Sequence, residues 1–279
     1  MNRLSIEKRT QIIGLLVEGN SLRATSRLAD CSINTVTKLL VEVGIACQKY
    51  HDEHVRNVSS KRVQCDEIWS FVYSKDKNIP ESMRGEYGIG SIWTWVGLDA
   101  DSKLAISWLV GNRDASYAQI FMEDIASRLK NRVQLTTDGL KAYIEAVESN
   151  FGSGIDYAQL VKIYGKSLDG EHRYSPAEVT GTQRNAIMGK PNPKHVSTSF
   201  VERANLTMRM NMRRFTRLTN GFSKKVENHA HAISLHFMYY NFVRIHKTLK
   251  VTPAMEAGIT TKLWEIKDLA LLLENGISN

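Results

Sequence analysis

The segment that most constrains the fold is a run of β-branched and aromatic residues at positions 63–73, which reads V-Q-C-D-E-I-W-S-F-V-Y. Apolar side chains occur at both odd and even positions, so a strand here has apolar residues on both of its faces. Strands of that kind are typical of the centre of a sheet that is covered on both sides. The run therefore predicts a central strand in a layered structure.

The chain after this run first continues with strands and then alternates strands with helices. Apolar residues at helical or strand-like spacing define each predicted element. The further predicted strands cover residues 92–98, 104–110, 132–137 and 158–164, and the helices between them cover residues 115–129 and 140–147. Consecutive strands followed by helix–strand alternation indicate the α/β class with a mixed sheet flanked by helices.

Residues 6–43 carry helical apolar spacing in three stretches, and Ser21 can cap the second. The second and third stretches are short and are separated by a tight turn, which is the helix-turn-helix pattern of DNA-binding proteins. A plain three-helix bundle has the same pattern. In the helix-turn-helix interpretation, which the basic composition favours, Asn34, Thr35 and Lys38 lead the third helix and would face a major groove.

These patterns predict the domain boundaries. Residues 1–45 form the all-α helix-turn-helix domain, residues 46–62 show no sustained period and are predicted to be a linker, and residues 63–258 form the α/β domain. Within it, residues 165–198 hold three of the five prolines and are predicted to be a flexible insertion. Residues 259–279 contain an amphipathic C-terminal helix.

The basic residues of the chain are concentrated in one region. The formal charge is +8, but residues 203–250 alone hold ten basic residues against the single acidic Glu227, or +9. Such a patch on a nearly neutral chain is the electrostatic footprint of phosphate-backbone binding, whereas a solvated basic helix face normally interleaves acidic residues. We expect a nucleic-acid partner. The predicted DNA contacts here are Arg203, Arg209, Arg213, Arg214, Arg217, Lys224 and Lys225.

Three carboxylates could carry chemistry, and two of them have a structural alternative. Asp66 lies inside the apolar strand, where an ionised carboxylate is costly unless it is paired or binds metal. Asp138 follows a strand at the edge where α/β sheets present ligand groups, although an Asp-Gly turn also explains it. Glu202 follows Ser199 at the spacing of a capping box. Glu67 is expected to point away from Asp66 and to lie outside its site.

As a set, Asp66, Asp138 and Glu202 predict a metal site. Two aspartates on strands and a glutamate on the following helix could hold two divalent cations for phosphodiester chemistry, and Mg²⁺ or Mn²⁺ prefers such oxygen ligands. Arg209 and Arg213 follow Glu202 by seven and eleven residues, so we expect all three in one column of the helix.

Several joined motifs resemble those of the Asp-Asp-Glu transposases. They are Gln64-Cys65-Asp66-Glu67-Ile68-Trp69, Thr136-Thr137-Asp138-Gly139 with Tyr143, and Val201-Glu202-Arg203-x-Asn205-Leu206-x-x-Arg209. The stretch Phe222-Ser223-Lys224-Lys225-Val226-Glu227-x-His229 is similar to the insertion-sequence-one family in particular, and the resemblance covers roughly residues 20–245.

The resemblance implies a ribonuclease-H-like catalytic fold with Asp66, Asp138 and Glu202 as ligands of a two-metal Mg²⁺ or Mn²⁺ site. It also implies Arg209 as a DNA contact. The implied activity is metal-dependent cleavage and strand transfer at insertion-sequence ends, by a homodimer or higher oligomer on double-stranded DNA. A non-catalytic helix-turn-helix regulator and a structure-specific nuclease on the same fold are the alternatives.

Other cofactors and compartments are not expected. The three cysteines have no paired spacing, so no zinc site is predicted, although the founding member of the family resembled has one. Gly165-Lys166-Ser167 lacks the first glycine of a P-loop, so no NTP is expected. Without a signal-peptide core or an apolar run of about 20 residues, we expect no membrane association. The prediction is a soluble, cytoplasmic bacterial protein that is associated with the nucleoid when bound to DNA.

Overall fold

The computed structural model describes residues 4–165, 179–216 and 220–275. The run at 63–73 forms strand β1, Arg62–Val72, which lies third in a six-stranded mixed sheet. The other strands are β2 (Gly90–Asp99), β3 (Ala105–Gly111), β4 (Gln134–Thr137), β5 (Asp156–Tyr164) and β6 (Val179–Met188). Their order is β3-β2-β1-β4-β5-β6. Strand β1 pairs antiparallel with β2 and parallel with β4, and β4 pairs parallel with β5. The α/β class and the central strand are confirmed.

Helices flank this sheet. They are α1 (Ile6–Val17), α2 (Leu22–Leu28), α3 (Ile33–His54), α4 (Ala115–Arg128), α5 (Ala142–Phe151), α6 (Ser199–Asn211), α7 (Val226–Met238), α8 (Pro253–Glu256) and α9 (Ile266–Asn275). Serine side chains cap α1, α2 and α3 by accepting a backbone N–H, and the predicted cap at Ser21 is confirmed. In the described ranges no helix has the length and apolarity to cross a membrane.

The two faces of the sheet carry different helices. On one face, Trp95 and Leu135 belong to a core that α4 and α5 share with the N-terminal helices. On the other, Ile68 packs in a separate core with Val201 and Met208 of α6 and with residues of α7. These apolar side chains of α6 are therefore buried, and each of them stabilises the fold by roughly 1.5–3 kcal/mol.

The prediction of a linker at residues 46–62 is wrong for its first half, because α3 continues to His54. Gly44 and His51 interrupt the apolar pattern there, yet both are buried. A Cβ on Gly44 would lie 2.5 Å from Cβ of His231, so glycine permits the close crossing of α3 and α7. The His51 Nε2 lies 3.2 Å from the carbonyl oxygen of Ala105 in β3. The proposed division into domains stays a prediction.

The prediction of a flexible insertion at residues 165–198 is wrong for residues 179–188. They form β6, which pairs antiparallel with β5 at the edge of the sheet. Most β6 residues are exposed or half-buried, so the segment lacks the alternation of apolar and polar residues that reveals a strand in sequence. Residues 166–178 lie outside the described residues.

The amphipathic C-terminal helix predicted within residues 259–279 is observed as α9, Ile266–Asn275. Its buried residues Leu269 and Ala270 belong to the same core as those of α1 and α3. The end of the described chain thus packs against its beginning.

Candidate metal centre

The centre forms where β4 ends beside β1. The parallel pairing of these strands stops at Cys65 and Thr137, so the next residue, Asp138, lies level with Asp66 and Glu67. Carboxylate oxygens of these three acidic residues all lie within 4.8 Å of one another. The structure thus brings together Asp66 and Asp138, as predicted.

The expectation that Glu67 lies outside the site is wrong. Its side chain does leave β1 on the face opposite that of Asp66. It accepts a hydrogen bond from the hydroxyl of Tyr143 in α5, whereas Asp66 accepts one from Asn205 in α6. The pairing with β4 has ended at this level, however, so on that side of β1 no strand backbone separates the two faces. Asp138 occupies that gap and approaches both carboxylates.

Helix α6 is held against the face of β1 that carries Asp66 by two side chains, one from each element. The Gln64 Oε1 accepts the backbone N–H groups of Phe200 at 2.9 Å and Val201 at 3.2 Å, two of the unpaired donors at the start of the helix. The Asn205 Nδ2 donates to Oδ2 of Asp66 at 2.9 Å. The turn of α6 that carries Glu202 is thereby fixed above Asp66.

Glu202 itself is not part of the close carboxylate group in the described structure. Its Oε1 pairs with Nζ of Lys162 in β5 at 2.6 Å and accepts a hydrogen bond from the hydroxyl of Thr198. Its charge nevertheless reaches Asp66, since it contributes to raising the pKa of that carboxyl.

The capping-box explanation of Glu202 is wrong. The N-cap position of α6 is Thr198, not Ser199, and the N–H of Ser199 donates to Oγ of Ser197 at 3.2 Å. Glu202 therefore does not bind the Ser199 amide. The turn explanation of Asp138 is correct in part, because its Oδ1 accepts the N–H of Leu140 at 3.0 Å.

Burial and mutual repulsion make the carboxylates hard to ionise. The pKa of Asp66 is raised to about 6, first by burial and then by the charges of Asp138 and Glu202. The pKa of Glu67 is raised to about 8 by burial and by Asp138, against the hydrogen bond from Tyr143. Carboxylates that are held together despite burial and mutual repulsion are a feature of functional sites.

Sequence reasoning missed Arg113. Its Nε donates to Oε2 of Glu67 at 2.9 Å and its Nη2 to Oδ2 of Asp138 at 3.1 Å, while its Cζ lies 4.9 Å from the ring centre of Trp93. No motif spacing links this residue to the acidic ones, because it follows β3, two strands away from β1. Asn205 could be predicted near the site from the sequence, since it lies about one helical turn after Glu202.

The residues present fit a divalent cation. The donor set is made of carboxylate oxygens, which Mg²⁺ and Mn²⁺ prefer. The Asn205 Oδ1 beside Asp66 is buried and has no hydrogen-bond partner in the described part of the chain. A cation would also relieve the repulsion between Asp66 and Asp138.

The predicted DNA-binding residues near α6 differ in exposure. Arg203, Arg213, Lys224 and Lys225 are exposed, Arg209 and Arg214 are half-buried, and Arg217 lies outside the described residues. The Arg214 Nη1 donates to Oγ of Ser223 at 2.6 Å.

The single column expected for Glu202, Arg209 and Arg213 is wrong for Arg213. Helix α6 ends at Asn211, and Arg213 opens the short 3₁₀ turn that follows, Arg213–Phe215.

The N-terminal residues predicted to read DNA lie on the first two turns of α3. Asn34 and Lys38 are exposed, and Thr35 is half-buried with its hydroxyl 2.9 Å from that of Ser32. Between these helices and the segment after α6 lies a groove of about 650 Å³. Arg23, Arg213 and Lys224 are among its lining residues, and none of the lining residues that the structure describes is acidic.

Comparisons with known proteins found only distant likenesses. No protein-family model and no curated protein matches the chain. Among solved structures, it is similar to a piggyBac transposase synaptic complex with hairpin DNA, at 9% identity over 98% of this chain and 72% of that one, with a TM-score of 0.42. It is also similar to the Mos1 strand transfer complex, at 11% identity over 85% and 76% of the two chains, with a TM-score of 0.25. Likenesses this distant assign the chain to no family.

Proposed function

We propose that this protein is a DNA transposase that cleaves DNA at the ends of an insertion sequence and joins those ends to a target. The observation that carries the proposal is the convergence of Asp66 and Asp138 at the end of β4, beneath a helix that presents Glu202. The exposed basic residues that follow this helix suit a phosphodiester substrate.

The fold that we propose is ribonuclease-H-like, and the family is that of insertion sequence one. Three antiparallel strands followed by two parallel ones support the fold, with Asp66 on β1 and Asp138 directly after β4. The motifs around these residues and around Glu202 support the family.

The chain's own residues would hold and orient the reacting groups. Asp66, Asp138 and Glu202 would hold the Mg²⁺ or Mn²⁺ ions. Asn205 would orient Asp66, and Lys162 would hold Glu202 until the ions bind. When bound, divalent cations supply a nucleophile at neutral pH and stabilise the charge on the transferred phosphoryl group. One phosphodiester replaces another, so the reaction needs no ATP.

The DNA would contact the protein at two places. We propose that α2 and α3 form the helix-turn-helix, with Asn34, Thr35 and Lys38 at the bases or backbone of an element end. The basic residues from Arg203 to Lys225 would hold the backbone near the carboxylates. Because two ends must be joined in one complex, we propose that a homodimer or higher oligomer assembles on DNA.

The test uses a duplex made from the DNA that flanks the gene, with Mg²⁺. Asp66→Asn, Asp138→Asn and Glu202→Gln should each lower end cleavage and strand joining by at least about a hundredfold while DNA binding persists. Asp101→Asn, which removes a carboxylate paired with Arg62 at another edge, is the matched control and should keep full activity. Full activity of Asp66→Asn would disprove the proposal.

The same assay separates the other two functions. Binding of the duplex without metal-dependent cleavage by the wild-type protein would identify a non-catalytic DNA-binding regulator. Cleavage without joining, at branched rather than flanking DNA, would identify a structure-specific nuclease. If Glu202→Gln stays active and only melts at a lower temperature, Glu202 is a structural partner of Lys162.

A further inference from the structure

Glu67 is the member of the carboxylate group whose oxygens are already occupied. Its Oε1 accepts from Tyr143 and its Oε2 accepts from Nε of Arg113 at 2.9 Å. Its side chain is 1% exposed, whereas that of Asp138 is 32% exposed. A cation on Glu67 would compete with these two donors, and losing a buried hydrogen bond costs about 1–3 kcal/mol. Its contacts fit an anchor better than a ligand.

What Glu67 anchors is the guanidinium of Arg113. This residue lies between the end of β3 at Gly111 and Asp114, the N-cap of α4, so both sides of its backbone are fixed. The bond from Nε and the face of Trp93 then fix the plane of the guanidinium. An arginine with so little remaining freedom loses little entropy on binding a ligand.

The rest of the guanidinium faces the opening of the site. The Arg113 side chain is 34% exposed, and its Nη2 is shared with Asp138 at 3.1 Å. Arginine has five N–H donors, and in the described structure Arg113 uses only two of them. A cation held by Asp138 would compete with Arg113 for that carboxylate, and Nη2 would then be available at the same place. The natural acceptor there is an oxygen of the phosphodiester.

We propose that Arg113 is a phosphate-binding residue of the active centre and that Glu67 is the positioning residue that holds it. This inference rests on the proposed function and adds two residues to it. Arg113 would stabilise the charge that develops on the phosphoryl oxygens, as preorganised guanidinium groups do in phosphoryl transfer. Glu67 would act only through Arg113.

The role of Glu67 is tested by metal binding rather than by activity. The unfolding temperature is followed against MgCl₂ concentration for the wild-type protein, Glu67→Gln and Asp138→Asn. We expect the half-saturating concentration for Glu67→Gln to stay within threefold of wild type, and that for Asp138→Asn to rise at least tenfold. A tenfold rise for Glu67→Gln would make it a metal ligand and overturn its positioning role.

The role of Arg113 is tested by its salt dependence and its rate on the flanking duplex. Arg113→Gln should lower the slope of log affinity against log salt by about one unit, when DNA binding is measured with CaCl₂ in place of MgCl₂. It should also slow single-turnover cleavage in MgCl₂ by about a hundredfold or more. Arg113→Lys should keep the slope, because it keeps the charge, but should not restore the rate, because lysine lacks the planar fork.

Arg132→Gln is the control, since this arginine binds the carboxylate of Asp156 away from the site and should change neither readout. An unchanged salt slope together with a rate within threefold of wild type for Arg113→Gln would overturn the inference. If the slope falls but the wild-type protein cleaves nothing, the transposase proposal fails while Arg113 remains a phosphate contact.

Discussion

Two neighbouring residues, Asp66 and Glu67, show how one strand can bring carboxylates from both of its faces to one place. Their side chains leave opposite faces of β1, and the early end of β4 lets Asp138 approach both. One faces α6 through Asn205 and the other faces α5 through Tyr143. The rule that adjacent strand residues do not share a site holds inside a sheet and fails where the neighbouring strand stops.

The raised pKa of Asp66 predicts how stability depends on pH without metal. The folded protein keeps a proton on Asp66 up to about pH 6, whereas the unfolded chain releases it near pH 4. The folded state therefore binds more protons in this window, and stability should fall by roughly 1–3 kcal/mol as pH rises through it. Denaturant unfolding in EDTA measures this, and Asp66→Asn should flatten the slope.

The control for that slope is Asp156→Asn. Arg132 and the N–H of Lys190 hold the pKa of Asp156 down at about 2, so its contribution to stability is lost only below pH 4. This variant should be less stable than wild type at every pH above 4 but should keep the wild-type slope between pH 4 and 6. An equal slope for wild type and Asp66→Asn would refute the prediction.

At the scale of elements, sequence predicts what lies in a regular apolar pattern and misses what does not. Strand β1 follows from its run of apolar residues on both faces, which the structure confirms as a central strand. The second half of α3 was missed because Gly44 and His51 are buried for packing and hydrogen bonding, not for hydrophobicity. Strand β6 was missed because an exposed edge strand need not alternate.

The carboxylate site was predictable in part for the same kind of reason. Asp66 and Asp138 stand out because each interrupts or ends an apolar strand. Arg113 does not stand out, because its place at the site depends on how the turn after β3 folds over Trp93. Residues that meet only through the tertiary fold have no characteristic spacing in the sequence, so a single sequence does not reveal their contact.

The crossing of α3 and α7 predicts a cost for any side chain at position 44. In Gly44→Ala the new Cβ would lie 2.5 Å from Cβ and 2.8 Å from the backbone of His231, so the helices must move apart. We expect a loss of about 1–3 kcal/mol in the free energy of unfolding, measured by denaturant titration. Gly154→Ala, whose Cβ would meet nothing within 4 Å, should be neutral; equal losses in both would contradict the packing argument.

The attachment of α6 to β1 predicts an effect on activity larger than that on stability. Gln64→Leu would leave the N–H groups of Phe200 and Val201 without their acceptor and should cost about 1–3 kcal/mol. Since Glu202 lies on the same turn, cleavage should fall at least tenfold even at temperatures where the variant is fully folded. Wild-type rates in the folded variant would show that Glu202 needs no fixed helix start.

At the scale of the whole molecule, the three carboxylates Asp66, Asp138 and Glu202 lie far apart along the chain, and the basic region begins beside the last of them, in α6. The basic region begins one residue after Glu202 and continues past the helix to the exposed Lys224 and Lys225. Each of these lysines that contacts a phosphate should add about one unit to the salt dependence of DNA binding.

We therefore expect Lys224→Gln and Lys225→Gln each to lower the salt slope by about one unit and to weaken binding to all sequences alike. Lys262→Gln removes a lysine paired with Asp268 near α9 and should leave the slope unchanged. Fluorescence anisotropy at several salt concentrations gives the slopes. A loss of sequence preference instead of a change in slope would show that these lysines contact bases.

The length of α3 sets the distance between the residues at its start and the sheet. The helix carries Asn34 and Lys38 near its start and is bound through His51, near its end, to β3 of the sheet that holds the carboxylates. Its 22 residues span about 33 Å as one continuous helix. If the proposed helix-turn-helix and the proposed metal centre act on one DNA molecule, α3 fixes the spacing between the base pairs recognised and the phosphodiester cleaved. Adding half a helical turn of DNA between them should then abolish cleavage.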